Sequence, residues 1–177
     1  MADHSDFQVI FVLDNVRSSF NVGAIFRTAD GVGASIHLIG MCPQPGKDNK
    51  LEKTSLSAIS FVEWKYFPNH KAWLSGFMHN KQENVVLLSV EEHTDSNSLD
   101  LFDLEDTIAE KLKVNDKCFK IYIVFGHEIN GVHTDLLSAS DYVISIPMHG
   151  KKNSLNIATC VGIVGYRVLE IIHSKFL

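Results

Sequence analysis

The sequence predicts an α/β fold with a mostly parallel sheet and flanking helices, and three observations carry that prediction. Apolar runs of strand length alternate with amphipathic stretches of helical length along the chain. Three segments, residues 13–34, 124–132 and 144–163, each place a polar, glycine-containing turn directly after a hydrophobic strand. At 177 residues the chain has the size of one compact domain with a substantial core.

The elements follow in order. Residues 8–13 form a short apolar strand, 22–32 a helix ended by Gly33, and 35–39 a second strand. Residues 41–57 are polar and contain Pro43, Pro45 and Gly46, which reads as a loop. A strand is expected over 61–67, a helix over 69–80 and a buried strand over 84–90. Residues 91–117 are acidic and ambiguous, with one helical stretch near 104–112. The run KIYIVF, residues 120–125, is a strong central strand. A short helix over 133–140, a strand over 142–146 and a long helix over 154–175 complete the chain. That last helix is apolar nearly all round and needs burial on several sides. Its small residues Ala158, Gly162 and Gly165 share a stripe that admits a close neighbour, inside one subunit or across an interface.

Composition narrows the classes of function. Hydrophobic residues make up 45% and charged residues 21%, as in ordinary globular proteins. No apolar run reaches the roughly 18 residues of a membrane span, and the N-terminus has no basic-then-apolar signal, so no membrane partner is expected. Cys42, Cys118 and Cys160 are widely spaced and odd in number, which argues for a reducing, cytoplasmic setting. The net charge of −5 opposes an extended electrostatic grip on nucleic acid, although Lys47, Lys50 and Lys53, and Lys151 with Lys152, form local basic clusters.

In parallel α/β sheets, ligands bind beyond the carboxyl ends of the strands, where all three turn segments begin. Arg27 sits on the helix that follows the first turn. Gly126 and Gly131 shape the second turn, and Glu128 between them could accept a hydrogen bond from a ligand hydroxyl or pair with Arg27. In the third, Pro147 restricts the backbone and Ser154 is placed to cap the last helix, which puts Asn156 in its first turn. Other templates are not met. There is no phosphate-binding G-x-x-x-x-G-K-[ST], the dinucleotide fingerprint fails at Ile36, and no G-x-S-x-G elbow appears. The nine histidines show no metal-ligand spacing, so no metal site is expected.

The three segments together resemble the SpoU (TrmH-type) RNA ribose methyltransferases of the SPOUT superfamily. Asn21-Val22-Gly23-Ala24-Ile25-Phe26-Arg27-Thr28-Ala29 fits N-x-G-[AN]-I-x-R-[TS]-A throughout. Phe125, Gly126, Glu128 and Gly131 fit F-G-x-E-x-x-G. Ile146, Pro147, Met148, Gly150, Ser154, Leu155 and Asn156 fit I-P-M-x-G-x-x-x-S-L-N. All three occur in family order.

The resemblance implies a C-terminal deep trefoil knot that binds S-adenosylmethionine, and transfer of its methyl group to an RNA ribose 2′-hydroxyl, with tRNA favoured over rRNA. It implies Arg27 as the central catalytic residue, with Asn21, Glu128, Ser154 and Asn156 around it. It places the cofactor against Gly126, Ile146, Met148 and Leu155, with the strand end at Ser89 and Val90 lining it. It also implies a homodimer with the site near the subunit interface. A single domain over residues 1–177 without an appended RNA-binding domain is expected, so a dimer groove or an accessory protein would supply affinity for RNA. His127 and Ile129 depart from the smaller or amide residues of many relatives. The alternative reading is a non-catalytic RNA-binding or ribosome-assembly protein that retains the fold; a base-methylating SPOUT enzyme matches the first motif poorly.

Overall fold

A computed structural model describes residues 7–81, 84–92, 98–111 and 119–176. Cys118, the expected helical residue Leu112 and much of the ambiguous acidic segment lie outside them.

Among the described residues seven strands form one sheet: β1 (Phe7–Asp14), β2 (Ser35–Ile39), β3 (Trp64–Phe67), β4 (Val85–Val90), β5 (Ser98–Asp100), β6 (Phe119–Phe125) and β7 (Tyr142–Ser145). Their order is β3-β2-β1-β6-β4-β7-β5, and every pairing is parallel. Among the described residues six α-helices cover it: α1 (Ser19–Val32), α2 (Asn49–Ser55), α3 (His70–His79), α4 (Leu104–Lys111), α5 (Thr134–Ala139) and α6 (Ile157–Phe176). The expected architecture is therefore the one found.

Alternation along the strands divides the core. Phe11, Leu13, Ile36, Leu38, Ile121 and Ile123 face α1, α2, α4 and α6, while Ile10, Val12, Leu87 and Val124 face α3 and α5. A sheet buried on both faces explains why its central strands read as continuous apolar runs. Helix α6 has the length and composition of a membrane-crossing helix, yet its stripe Val161, Val164, Val168, Ile171 and Ile172 is buried in the core. On the small-residue stripe, a Cβ at Gly165 would come within 2.8 Å of the Phe11 ring, so this glycine serves packing inside the chain. Gly162 has no neighbour within 4 Å of that position.

Three local expectations are corrected. The segment 41–57 is not all loop: Asp48 accepts from the N–H groups of Lys50 and Leu51 and caps α2, whose Leu51 is fully buried. The prolines and Gly46 occupy only the stretch before that cap, and α2 packs on α1 where Gly23 leaves room for Thr54. The strand expected from residue 61 begins at Trp64, because Ala58–Ser60 form a 3₁₀ turn before it. Helix α1 begins at Ser19, ahead of the expected residue 22, because Ser18 caps it by accepting from the Asn21 N–H. Its end is as expected, with Gly33 left-handed at φ 70°.

Candidate active site

A cavity of about 780 Å³ opens beyond the carboxyl ends of β4, β6 and β7. Val90, Phe125, Ile146, Met148 and Leu155 give it an apolar wall, and Glu91, Glu92, Asp100 and Glu128 line it with carboxylates. Lys151 and Lys152 stand at the same cavity.

The loop after β6 is closed on itself: His127 N–H donates to Gly131 O at 3.0 Å and Gly131 N–H to His127 O at 2.9 Å. Gly131 is left-handed at φ 69°, a conformation that favours glycine. A Cβ on Gly126 would run into the backbone of Gly131 and Val132, so only glycine lets the loop fold back there.

Glu128 projects from this loop to the start of α1. Its carboxylate accepts from the N–H groups of Arg17 and Ser18, both at 3.4 Å, and from Asn21 Nδ2 at 3.2 Å. Burial pushes the Glu128 carboxyl up, but its own backbone N–H, Asn21, Arg17 and Ser18 outweigh that and hold it below the usual range. Of the two readings open for Glu128, a pair with Arg27 is not formed among the described residues. Asn156 Nδ2 donates to Asn21 Oδ1 at 3.2 Å, extending the chain of polar contacts to α6.

Asn156, and not Ser154, caps the last helix: its Oδ1 accepts from the N–H of Ala158 at 2.9 Å and of Thr159 at 3.4 Å. The helix accordingly begins at Ile157, ahead of which Ser154 lies exposed in the cavity-lining loop. The cap position aims the other end of the Asn156 amide at Asn21, which explains why both matter to one geometry.

Of the residues expected at a cofactor, Val90, Gly126, Ile146, Met148 and Leu155 line the cavity, whereas Ser89 does not. Strand alternation turns Ser89 to the other face, where it is fully buried and its Oγ is 2.7 Å from Ser140 Oγ. Arg27 is also apart. It is exposed on α1 and, among the described residues, has no hydrogen-bond or ion-pair partner. Helical spacing puts it on one stripe with Phe20, Ala24 and Gly31. Beside that stripe run the exposed Ile163 and Tyr166 of α6, and a Cβ on Gly31 would lie 3.0 Å from the Tyr166 hydroxyl.

Several supports were not singled out in the sequence. Asp14, buried at the end of β1, accepts from His133 N–H at 2.9 Å and so ties α5 to the first strand. Glu91 accepts from Val132 N–H at 2.8 Å and braces the loop after β6. Each carboxylate stands at a strand end, the one available signal. Cys160 lines the cavity with its thiol pushed up to about 12, first by burial and then by the Glu91 charge, so it is a neutral wall rather than a nucleophile.

His70, His133 and Asp135 bring ligand-type atoms within 4.8 Å of one another outside this cavity. The two rings are stacked at 3.6 Å, His133 Nδ1 accepts from the Asp135 N–H and caps α5, and His70 Nε2 lies 3.1 Å from Asp135 Oδ2. Stacked rings direct their in-plane lone pairs along parallel planes rather than at one point. The cluster is built as a helix cap.

The sequence profile of the SpoU rRNA Methylase family matches residues 8–166. A tRNA (guanosine(18)-2'-O)-methyltransferase of Borreliella burgdorferi is 28% identical over 160 residues, 90% of this chain and 65% of its own length. The chain spans between 59 and 65% of the length of that relative and its two neighbours in similarity. Among solved structures, the SpoU methyltransferase AviRb from Streptomyces viridochromogenes, in complex with the cofactor AdoMet, superposes with a TM-score of 0.77 at 24% identity, over 97% of this chain and 60% of that one. A structure described as giving insights into the 2-OH methylation of C/U34 on tRNA matches with a TM-score of 0.76 at 20% identity, over 97% of this chain and 99% of the other.

Proposed function

The chain belongs to the SpoU rRNA methylase family, and from that premise we propose that it transfers a methyl group from S-adenosylmethionine to a ribose 2′-hydroxyl of RNA, with tRNA favoured over rRNA. The observation that carries the reading is the meeting of all three motif segments at one place. The loop after β6 and the segment before α6 wall the cavity, and Asn21 joins them through Glu128 and Asn156. The choice of tRNA is supported by the two similar proteins above whose names refer to tRNA.

The residues present fit the cofactor. The apolar wall suits its adenine ring, the carboxylates of Glu91 and Glu92 suit its ammonium and sulfonium charges, and the glycine fold-back at Gly126 brings backbone to the cavity surface. On this reading Val90, Gly126, Ile146, Met148 and Leu155 hold it, within the knotted C-terminal part typical of the family. Bound there, S-adenosylmethionine supplies an electrophilic methyl carbon on a sulfonium.

The chain's own groups then position and stabilise. Glu128, ionised and held by three N–H donors, fixes the loop after β6 against the start of α1. Asn156 and Ser154 stand where the ribose would enter. Arg27 offers a guanidinium to the negative charge developing on the ribose oxygen, or to its adjoining phosphate, while the hydroxyl proton passes to water. Two copies pair through the stripes of α1 and α6, which covers Phe20, Ile163 and Tyr166 and brings Arg27 to a site at the interface. With a net charge of −5, affinity for RNA comes from the dimer groove or from an accessory protein.

The test is incubation with methyl-labelled S-adenosylmethionine and RNA that lacks its modifications, small RNA and ribosomal RNA apart. Label on RNA is expected. A protein that binds neither the cofactor nor its demethylated product contradicts the reading and leaves the non-catalytic alternative.

A further inference from the structure

A second cavity, of about 560 Å³, lies between the C-terminal half of α3 and the opposite face of the sheet. It shares no lining residue with the first. Its size falls within the roughly 300–1,000 Å³ of small-molecule sites.

The inner wall is aromatic. Trp73 and Phe77 stack with centroids 5.0 Å apart, Tyr122 meets Phe77 edge-on at 5.2 Å, and His37 meets Phe67 at 5.1 Å. Polar atoms interrupt that wall at fixed places. His37 Nδ1 accepts from Trp73 Nε1–H at 2.9 Å, which leaves the imidazole proton on Nε2 as a donor. Burial, assisted by the Lys65 charge, pushes His37 down to about 4, so the ring is neutral at physiological pH. Asn80 donates its Nδ2–H to Gly76 O, which leaves its Oδ1 as an acceptor.

The charge at this cavity runs against that of the chain. Acidic residues outnumber basic ones 21 to 16 overall, yet Lys65, Lys81 and Lys120 line the cavity and no carboxylate does so among the described residues. Lys81 is paired with Asp141 at 3.1 Å, and Lys65 is 3.7 Å from Glu63 on the exposed rim. An aromatic wall with one fixed donor and one acceptor suits a heteroaromatic ring with a polar edge. The lysines suit an anion attached to it.

We propose that this cavity binds a nucleotide, its base against the half-buried Phe67 and Tyr122, which are backed by the buried Trp73 and Phe77, and its phosphate at Lys65 and Lys120. The ligand is either a free 5′-nucleotide or one nucleotide of an RNA chain. The inference rests on the second cavity alone and holds whether or not the first supports methyl transfer.

Trp73 is the natural reporter once the other tryptophan is removed in a Trp64→Phe background. Its emission is followed during titration with 5′-AMP, 5′-GMP and a short single-stranded RNA, with adenosine and inorganic phosphate as controls, in excess S-adenosylhomocysteine. A saturable change is expected, with affinity falling about tenfold for each lysine removed in Lys65→Gln and Lys120→Gln. The thermal midpoint and S-adenosylmethionine affinity stay unchanged. A response to mononucleotides identifies the free ligand, and a response to RNA alone identifies a nucleotide of an RNA chain. No saturable change with any probe, equal affinity in the double lysine variant, or a response present only without S-adenosylhomocysteine overturns the proposal.

Discussion

Asn156 donates to Asn21 Oδ1 at 3.2 Å, so the residue that caps the last helix is bonded to the first turn of the first helix, 135 positions earlier in the chain. Asn21 passes the contact on to Glu128, whose carboxylate also holds the N–H groups of Arg17 and Ser18. Three segments far apart in sequence thus share one short polar chain. Its members are exposed or half-buried, which fits a geometry kept for a ligand rather than for the core.

Asn156→Ala removes both the cap and the link. Loss of the cap is expected to lower stability by about 1 kcal/mol. Asn156→Asp keeps the cap acceptor but loses the donor to Asn21, so it should retain most stability and still lose methyl-transfer rate. Denaturant melts beside transfer assays separate the two effects, and activity undiminished from that of the unsubstituted protein in both variants would remove Asn156 from the site.

Glu128 links stability to pH. Its folded-state carboxyl is held below the ordinary range despite the raising effect of burial, because its N–H donors outweigh that effect. Such a group contributes stability above its unfolded value and loses it as pH falls through the folded value. The stability gap between the protein and Glu128→Gln should therefore shrink toward zero as pH is lowered below the ordinary carboxylate range. Urea melts across that range measure it.

His37 acts in the same direction at higher pH. Its value is depressed from 6.5 to about 4 by burial and then by Lys65. The neutral ring's contribution is present above 6.5 and is lost as pH falls toward 4. His37→Gln, which removes the titrating group, should show a shallower loss over that interval, and an unchanged slope would contradict the neutral, Trp73-bonded ring.

Gly126→Ala places a methyl group against the backbone of Gly131 and Val132. The loop after β6 must open, at a cost of about 1–3 kcal/mol, and S-adenosylmethionine affinity should fall with it. Leu155→Arg tests the same cavity from its other wall. It is expected to fold normally, since Leu155 is 38% exposed, and to lose cofactor binding measured by calorimetry.

Much of this was legible because periodicity and turn chemistry act locally. The apolar runs of β1, β4 and β6 and the glycine that ends α1 needed no tertiary knowledge. Helix α2 was hidden because Pro43, Pro45 and Gly46 dominate the composition of a segment whose helix is only seven residues long. Its stability comes from packing on α1, which propensity does not record. Ser154 and Asn156 are both good cap residues, and only the backbone decides between them. Arg27 and Glu128 are kept apart by a similar effect. Helical phase places Arg27 on the stripe of Phe20 and Gly31, away from the loop that Asn21 contacts.

The most direct measurement is the chemical identity of the methylated product. RNA lacking its modifications is incubated with the protein and methyl-labelled S-adenosylmethionine, digested to nucleosides and separated, with Arg27→Ala run in parallel at matched cofactor occupancy. Label in a 2′-O-methylnucleoside, absent in Arg27→Ala although cofactor affinity is kept, is the predicted result. Label on a base, or 2′-O-methylation undiminished in Arg27→Ala, would contradict it.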